Sequence, residues 1–244
     1  MDEEQAMQKL CKEFPHAEHA ELLRFCRARP QSFDDAKDMY KKHLQWRRSE
    51  GSAMNLANAA SAVSPRFIQH RGVACDGSLV FYLCGGAYSS EIGPELHVLA
   101  LAHVLDQAFK SSDGTKGTVC IDTRPKKDLF NVPAHRMVPL FRMSGAVLQA
   151  NYPERLQVLL VYPVPRVAAG LWWVAKGFCD AKTAAKVQLF SGDSGLGSPC
   201  PVQVGEYVEL HQLPEDHWGP NEQHGTEVET DGKPGDSIKL LEKE

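Results

Sequence analysis

The chain reads as an α/β protein in which an N-terminal helical element precedes a mostly parallel β-sheet flanked by helices. Three observations predict this class. The first fifty residues carry helical periodicity, and the period changes from Arg66 onward. Short apolar runs then alternate with helical stretches of ten or more residues, the pattern of right-handed βαβ units and a parallel sheet. One run, Val158-Leu159-Leu160-Val161 with Pro163 and Pro165 behind it, has the length and composition of a strand buried on both faces.

Each element has a local reason. Ser32 can cap a helix whose first turn carries Asp34 and Asp35, where the helix dipole favours negative charge. Ala36, Met39, Tyr40, Leu44 and Trp46 follow at close to helical period, and Gly51 is the expected stop. Residues 52–62 are rich in small side chains and are expected to be helical. Phe67-Ile68 and Leu79-Val-Phe-Tyr-Leu83 read as strands joined through an Asp76-Gly77 turn. Residues 94–110 read as a helix with Pro94 at its start and Leu96, Leu99, Ala100, Val104, Leu105 and Phe109 on one face. Thr118 to Asp122 is a short strand, and 132–150 a long helix. That helix should end near Asn151, because Pro153 forces Tyr152 out of helical geometry. A strand at 158–162, an apolar helix at 168–178, a strand from Lys186 to Phe190 and a short helix at 203–211 complete the expectation.

At 244 residues the chain has room for a full core. The expected divisions are an N-terminal helical element at 1–60, a main domain at 61–219 and an acidic tail at 220–244. No window reaches the ~20 apolar residues that span a bilayer. The opening MDEEQAMQKL is acidic rather than basic-then-apolar, so a cytoplasmic protein is expected. Seven cysteines, at 11, 26, 75, 84, 120, 179 and 200, form no C-x-x-C pair and sit largely inside apolar runs. They predict buried reduced thiols rather than disulfides or zinc ligands. From Glu215 onward nine acidic residues face three basic ones, so the net charge of −4 leaves the preceding body at about +2. The Gly-, Glu- and Pro-rich tail is expected to be disordered and solvated. A nearly neutral body argues against nucleic acid, which selects a strong basic patch.

Residues 151–187 are the most informative stretch. Val167 to Phe178 is apolar with no clean polar face and contains Trp172 and Trp173. Such a helix is buried or faces lipid, and at about a dozen residues it is too short to span a membrane. The order NYPERL, apolar strand, Trp-rich helix, K-x-F-x-D-x-K-T and Lys-Val resembles the CRAL-TRIO lipid-binding domain, in particular the yeast-type phosphatidylinositol/phosphatidylcholine transfer proteins. Residues 22–51, LLRFCRARPQSFDDAKDMYKKHLQWRRSEG, independently resemble the N-terminal helical element of that family. Together the matches run from about residue 18 to residue 219.

The resemblance implies a CRAL-TRIO fold whose sheet and helices enclose an apolar lipid cavity, with Phe81, Leu83, Val119, Ile121 and Leu160 as candidate lining residues. It implies that Arg29, Glu154, Thr183 and Lys186 bind a phosphoinositide headgroup. These are fitting types: phosphate calls for Arg or Lys with hydroxyl donors, and polyol recognition favours a carboxylate. It implies a gate helix whose Leu171, Trp172, Trp173 and Phe178 contact membrane, with Gly170 and Gly177 as hinges. The implied function is to take phosphatidylinositol from a membrane into the cavity and exchange it, while transiently peripheral to that membrane. A second lipid or hydrophobic ligand, presentation of lipid to a phosphoinositide kinase, a monomeric state and no cofactor beyond the bound lipid are the accompanying expectations. Neither metal binding nor catalysis is expected.

Plainer readings stay open beside these. Arg29 can be a surface arginine, Glu154 can pair with Arg155, Thr183 and Lys186 can be helix surface, and 167–178 can be a core helix. The family pattern P-F-L-D stands here as Gly177-Phe178-Cys179-Asp180, and the closing L-P-x-x-Y-G-G as Leu213-Pro-Glu-Asp-His-Trp-Gly219-Pro220. Positions that supply hydroxyls to a choline-lipid headgroup in the family are Gln69, His70, Phe81, Gly117 and Val119 here, which puts phosphatidylcholine in doubt as second ligand. Gly192-Asp-Ser-Gly195 mimics a serine-protease loop but lacks the β-scaffold that chemistry needs. His16 and His19 have no third ligand near them. Two other classes therefore remain: a carrier of a sterol-, retinoid- or tocopherol-like molecule, and an interaction module with a vestigial pocket.

Overall fold

The computed structural model describes residues 2–110, 115–164, 177 and 181–214. Helices α1 (Glu3–Glu13), α2 (His19–Ala28), α3 (Phe33–Arg48) and α4 (Ala53–Ala62) open the chain. The α3 cap is the expected one: Asp35 N donates to Ser32 Oγ at 3.1 Å. The helix ends at Arg48, three residues before Gly51. Gly51 is required for another reason, since a Cβ there would come within 2.3 Å of the Trp46 ring. Helices α1 to α3 share a small core in which Leu10, Leu22, Phe25 and Tyr40 are buried. The Tyr40 ring meets Phe14 and Phe25 edge-on at 4.8 and 5.0 Å, a favourable aromatic geometry.

Strands β1 (Ile68–Val73), β2 (Leu79–Cys84), β3 (Gly117–Asp122), β4 (Leu156–Val164) and β5 (Val187–Ser191) form one sheet in the order β1-β2-β3-β4-β5. The first pair is antiparallel and the other three are parallel. The turn after β1 carries Gly77 at φ 82°, a conformation that glycine adopts without steric cost. Helix α5 (Pro94–Phe109) crosses from β2 to β3, and α6 (Val138–Asn151) from β3 to β4. Two successive crossovers of one hand place both helices on the same face, and α5 packs directly on α6. The opposite face is covered by the segment after β5, whose Val204, Val208 and Leu213 are buried in the main core and whose Tyr207 ring meets Phe190.

The structure corrects several boundaries. The helix expected at 132–150 begins at Val138, after a 3-10 turn at Ala134–Met137. Pro139, which lacks a backbone N–H, would break a helix begun at 132 but fits the first turn of one begun at Val138. The helix expected at 203–211 is instead two 3-10 turns, Val202–Glu206 and Leu210–Gln212. Strand β1 extends from Ile68 to Val73, longer than its apolar pair suggested, because its polar residues lie at the sheet edge.

Polar links tie the N-terminal helices to the sheet domain. Arg47 makes a two-pronged pair with Asp106 at 2.6 and 2.9 Å, and Tyr152 Oη donates to the same carboxylate at 2.7 Å. His43 Nδ1 lies 3.0 Å from Asn151 Oδ1 at the end of α6. The C-terminal half of α3 is thereby held against the turn that leads into β4.

Candidate functional site

Alternation along the strands divides the sheet into two sets of rungs. Phe81, Val119, Leu159 and Val187 form one rung, and Leu83, Ile121, Val161 and Leu189 the next on the same face. Tyr82, Cys120, Leu160 and Gln188 form the rung between them, on the opposite face.

Helices α5 and α6 cover the first face without closing on it. Leu101 and Leu105 of α5, a stripe on α6 (Leu140, Phe141, Ser144, Gly145, Leu148) and the two apolar rungs enclose a cavity of about 800 Å³. That volume lies in the upper part of the ~300–1,000 Å³ range of small-molecule sites. The α6 stripe repeats at intervals of three and four, as one face of a helix must. Leu83, Val119 and Ile121 line the cavity. Phe81 shares their face but packs on Phe109, with ring centroids 5.5 Å apart. Leu160 does not face the cavity: it is fully buried on the other side, and its neighbours Leu159 and Val161 line the cavity instead. The run VLLV has no polar residue to mark a face, so one-residue parity was invisible in the sequence.

One end of the cavity is polar. Arg27 and Arg29 come from the end of α2, Glu154 from the turn before β4, and Lys182, Thr183 and Lys186 from the turn before β5. Arg29, Glu154, Thr183 and Lys186, distant in sequence, therefore border the same cavity. Glu154 Oε1 lies 2.5 Å from Lys182 Nζ. It does not pair with Arg155, which donates to Thr115 O at 2.7 Å and stacks over the Phe109 ring at 4.3 Å. Lys186 Nζ donates to Leu156 O at 2.6 Å, and Arg29 Nη1 to Ala28 O at 2.8 Å. Arg27 makes a two-pronged pair with Glu3 at 3.1 and 3.2 Å. The hydrogen bond from Lys186 N to Thr183 O, 3.0 Å, continues the one-turn helix Ala181–Ala184 and keeps both side chains on the cavity wall.

Glu154 has φ 60°, a left-handed backbone that a non-glycine residue adopts at a cost of about 1–3 kcal/mol. Strain of this kind persists where the surroundings demand the geometry. Here the Tyr152–Arg155 turn must reverse the chain from α6 into β4 while aiming a carboxylate along the cavity wall.

Sequence reasoning missed Arg27 and Lys182 as cavity residues, although each lies in a motif already singled out, R-A-R and D-A-K-T. It also missed a buried ionic cluster on the far face. Asp122, with 0 % exposure, accepts from Tyr82 Oη at 2.8 Å and from Arg124 Nε and Nη2 at 2.9 and 3.0 Å. Lys126 Nζ lies 2.9 Å from the same carboxylate. Asp122, Arg124 and Lys126 alternate along the chain, a spacing that brings their charges together but gives no sign that they are buried.

Among the described cysteines, Cys26, Cys84 and Cys120 are buried and Cys75 is exposed. Burial pushes the Cys120 thiol up to about 12, which keeps it protonated and unreactive. Among the described residues no group of three metal-ligating side chains occurs, and no helix is long and apolar enough to cross a membrane. Of Gln69, His70, Phe81, Gly117 and Val119, only Val119 lines the cavity; Gln69 bonds Arg71, and the His70 ring meets Phe81. Gly177 lies in an exposed turn. The remaining gate positions, Gly170, Leu171, Trp172, Trp173 and Phe178, fall outside the described residues.

Comparison with known proteins adds three findings. A family model described as CRAL/TRIO domain matches residues 76–219. Among curated proteins the chain is similar to "Protein real-time" of Anopheles gambiae, 23% identical over 231 residues that cover 83% of this chain and 31% of that protein. It is also similar to phosphatidylinositol/phosphatidylcholine transfer protein SFH13 of Arabidopsis thaliana, 24% identical over 225 residues that cover 82% of this chain and 34% of that protein. The chain thus spans about a third of the length of these relatives. Among solved structures, the crystal structure of Sfh5 matches with a TM-score of 0.61 at 17% identity, covering 78% of this chain and 80% of that one, a likeness of fold.

Proposed function

This chain belongs to the CRAL/TRIO family of lipid-binding domains, and from that premise we propose that it carries phosphatidylinositol. The observation that carries the reading is the convergence of Arg29, Glu154, Thr183 and Lys186 at one end of an apolar cavity. Acyl chains occupy the slot between the sheet and α6, where each buried CH₂ contributes roughly 0.8 kcal/mol. Arg29 and Lys186 face the phosphate, Thr183 donates a hydroxyl, and Glu154 accepts from the inositol hydroxyls. A charged lipid headgroup also needs this polar end near solvent, and the Lys182 side chain there is 62% exposed.

The carrier extracts and exchanges lipid at a membrane surface without catalysing a reaction, and residues 167–178, with Trp172 and Trp173, contact the bilayer. Presentation of the lipid to a phosphoinositide kinase is the downstream role. A second ligand other than phosphatidylcholine is favoured, because the positions that would meet a choline headgroup hold Gln69, His70, Phe81, Gly117 and Val119, of which only Val119 borders the cavity.

The test is transfer of labelled phosphatidylinositol between vesicles by the parent chain, Lys186→Glu and Arg29→Glu, with thermal unfolding as the check on folding. Both variants are expected to lose phosphatidylinositol transfer by tenfold or more while keeping the fold. Unchanged transfer in two folded variants would overturn the headgroup assignment. Transfer of a sterol- or retinoid-like probe in place of phosphatidylinositol would move the protein to that class of carrier.

A further inference from the structure

The cavity rim at the opposite edge of the sheet, where β3, β4 and β5 end, has its own construction. After β3 the chain forms a loop whose Thr123, Asn131 and Val132 line the cavity, while Phe130 beside them is 54% exposed. Among the described residues Phe130 is the only exposed phenylalanine. The loop is not loose. Asn131 accepts from Lys126 N at 2.8 Å, donates to Lys126 O and Leu129 O at 2.8 and 3.0 Å, and its own N–H bonds Gly86 O at 3.0 Å. Asp128 and Asn131 take left-handed backbone at φ 61° and 49°. Lys126 is buried against Asp122. The fold thus anchors the chain on both sides of Phe130 and leaves its ring in water.

The surroundings indicate what that ring meets. Lys127, His135 and Arg136 are exposed on the same connection, and Asp128 is the sole acid between residues 123 and 142. A second exposed apolar side chain, Leu196 at 67%, sits on the loop after β5, two residues beyond Ser194 on the cavity wall. Because β3, β4 and β5 run parallel, both loops leave the same edge of the sheet. An aromatic ring with basic neighbours matches an anionic bilayer interface, where the ring enters the headgroup region and the cations stay with the lipid charge.

We propose that the loop tipped by Phe130, with its basic flank and Leu196, is a docking edge that inserts into an anionic lipid surface and sets the cavity rim against it. The proposal rests on the carrier reading for its purpose, but its own chemistry needs only the bilayer. The chain of 244 residues is floated with vesicles of phosphatidylcholine alone and of phosphatidylcholine with phosphatidylserine, and lipid loading from detergent is measured separately.

Phe130→Ala is expected to lower partition onto phosphatidylserine vesicles about tenfold, and Phe130→Trp to retain it. Lys127→Glu with Arg136→Glu is expected to remove the preference for phosphatidylserine and its salt dependence. Lipid loading should match the parent in every variant. Unchanged partition in Phe130→Ala and in the charge variant would overturn the proposal. A parent chain that loads lipid yet floats with neither vesicle would also overturn it and assign the edge to a protein partner. A chain that loads no lipid but loses vesicle binding on Phe130→Ala would keep the docking edge and overturn the carrier reading.

Discussion

The two faces of the sheet are built from alternate residues of the same strands and have opposite characters. On β4, Leu160 and Tyr162 have 0% exposure, whereas Leu159 and Val161 between and beside them are only partly buried. The far face is filled by side chains: tyrosines, buried cysteines, the segment after β5, and Asp122 with its arginine, lysine and tyrosine partners. The cavity face carries only apolar residues on these rungs but is left incompletely covered by α5 and α6. A strand buried on both faces can therefore place its packing on one side and reserve the other for a ligand. Stability then depends chiefly on the far face, and binding on the cavity face.

The sharpest way to break this contrast is at Asp122. Asp122→Ala leaves Arg124 and Lys126 buried without their anion, and a loss of about 3–5 kcal/mol in urea unfolding is expected. A loss below about 1 kcal/mol would show that the cluster is solvated in solution.

The next test compares neighbours. Leu160→Ala should cost about 2–5 kcal/mol as an ordinary core truncation, and Leu159→Ala less than half as much in lipid-free protein, because its side chain already borders a void. Equal losses would mean that the cavity is closed in solution.

On helix α5 the change comes along one stripe: Leu101 and Leu105 border the cavity, while His97, one turn before Leu101, is buried between the Phe67 and Tyr88 rings. His97 Nδ1 lies 2.6 Å from Gly93 O and Nε2 accepts from Ser89 N at 3.3 Å, so the neutral ring is the one that fits. Burial, partly opposed by the Gly93 bond, lowers its pKa from the usual 6.5. The unfolded chain therefore takes up a proton that the folded chain refuses. This contribution is whole above about pH 6.5 and is lost as pH falls below it, with a slope of at most about 1.4 kcal/mol per pH unit. His97→Gln should flatten the stability difference between about pH 7.5 and about pH 5.5 relative to the parent, and an unchanged slope would assign it to other groups.

The smallest expected stability effect is at the polar end. Glu154→Gly relieves the left-handed strain, offset by about 0.5–1 kcal/mol of added freedom in the unfolded chain. Its ion pair with the well-exposed Lys182 contributes little. Unfolding should shift by no more than about 1 kcal/mol, upward, while phosphatidylinositol transfer falls. A large destabilisation would make Glu154 a structural residue.

The sequence was legible where one residue type decides the outcome. Ser32 caps α3, Pro94 begins α5, and Asp76-Gly77 turns β1 into β2, each because few residue types can do the job. The strands were legible as apolar runs, but their faces were not: alternation needs a polar residue to show itself, and β2 and β4 offer little. That is why Leu160 was placed on the wrong side. The candidate site was legible only through motif resemblance, since no spacing brings Arg29 to Lys186. Their meeting depends on α3, against which α2 packs, being held to Asn151, Tyr152 and Asp106 by contacts spanning 59 to 108 residues. The alternation of Asp122, Arg124 and Lys126 stood in the sequence but their burial did not, and the Phe130 loop was illegible because it arises from chain direction after a strand rather than from any pattern within one.

The central claim is that the cavity face is reserved for phosphatidylinositol. Native mass spectrometry of the purified chain after incubation with mixed liposomes tests it directly. The account predicts one phosphatidylinositol per chain and higher thermal stability in the loaded form. A folded chain that stays empty, or that takes up a different hydrophobe and leaves phosphatidylinositol behind, would contradict it.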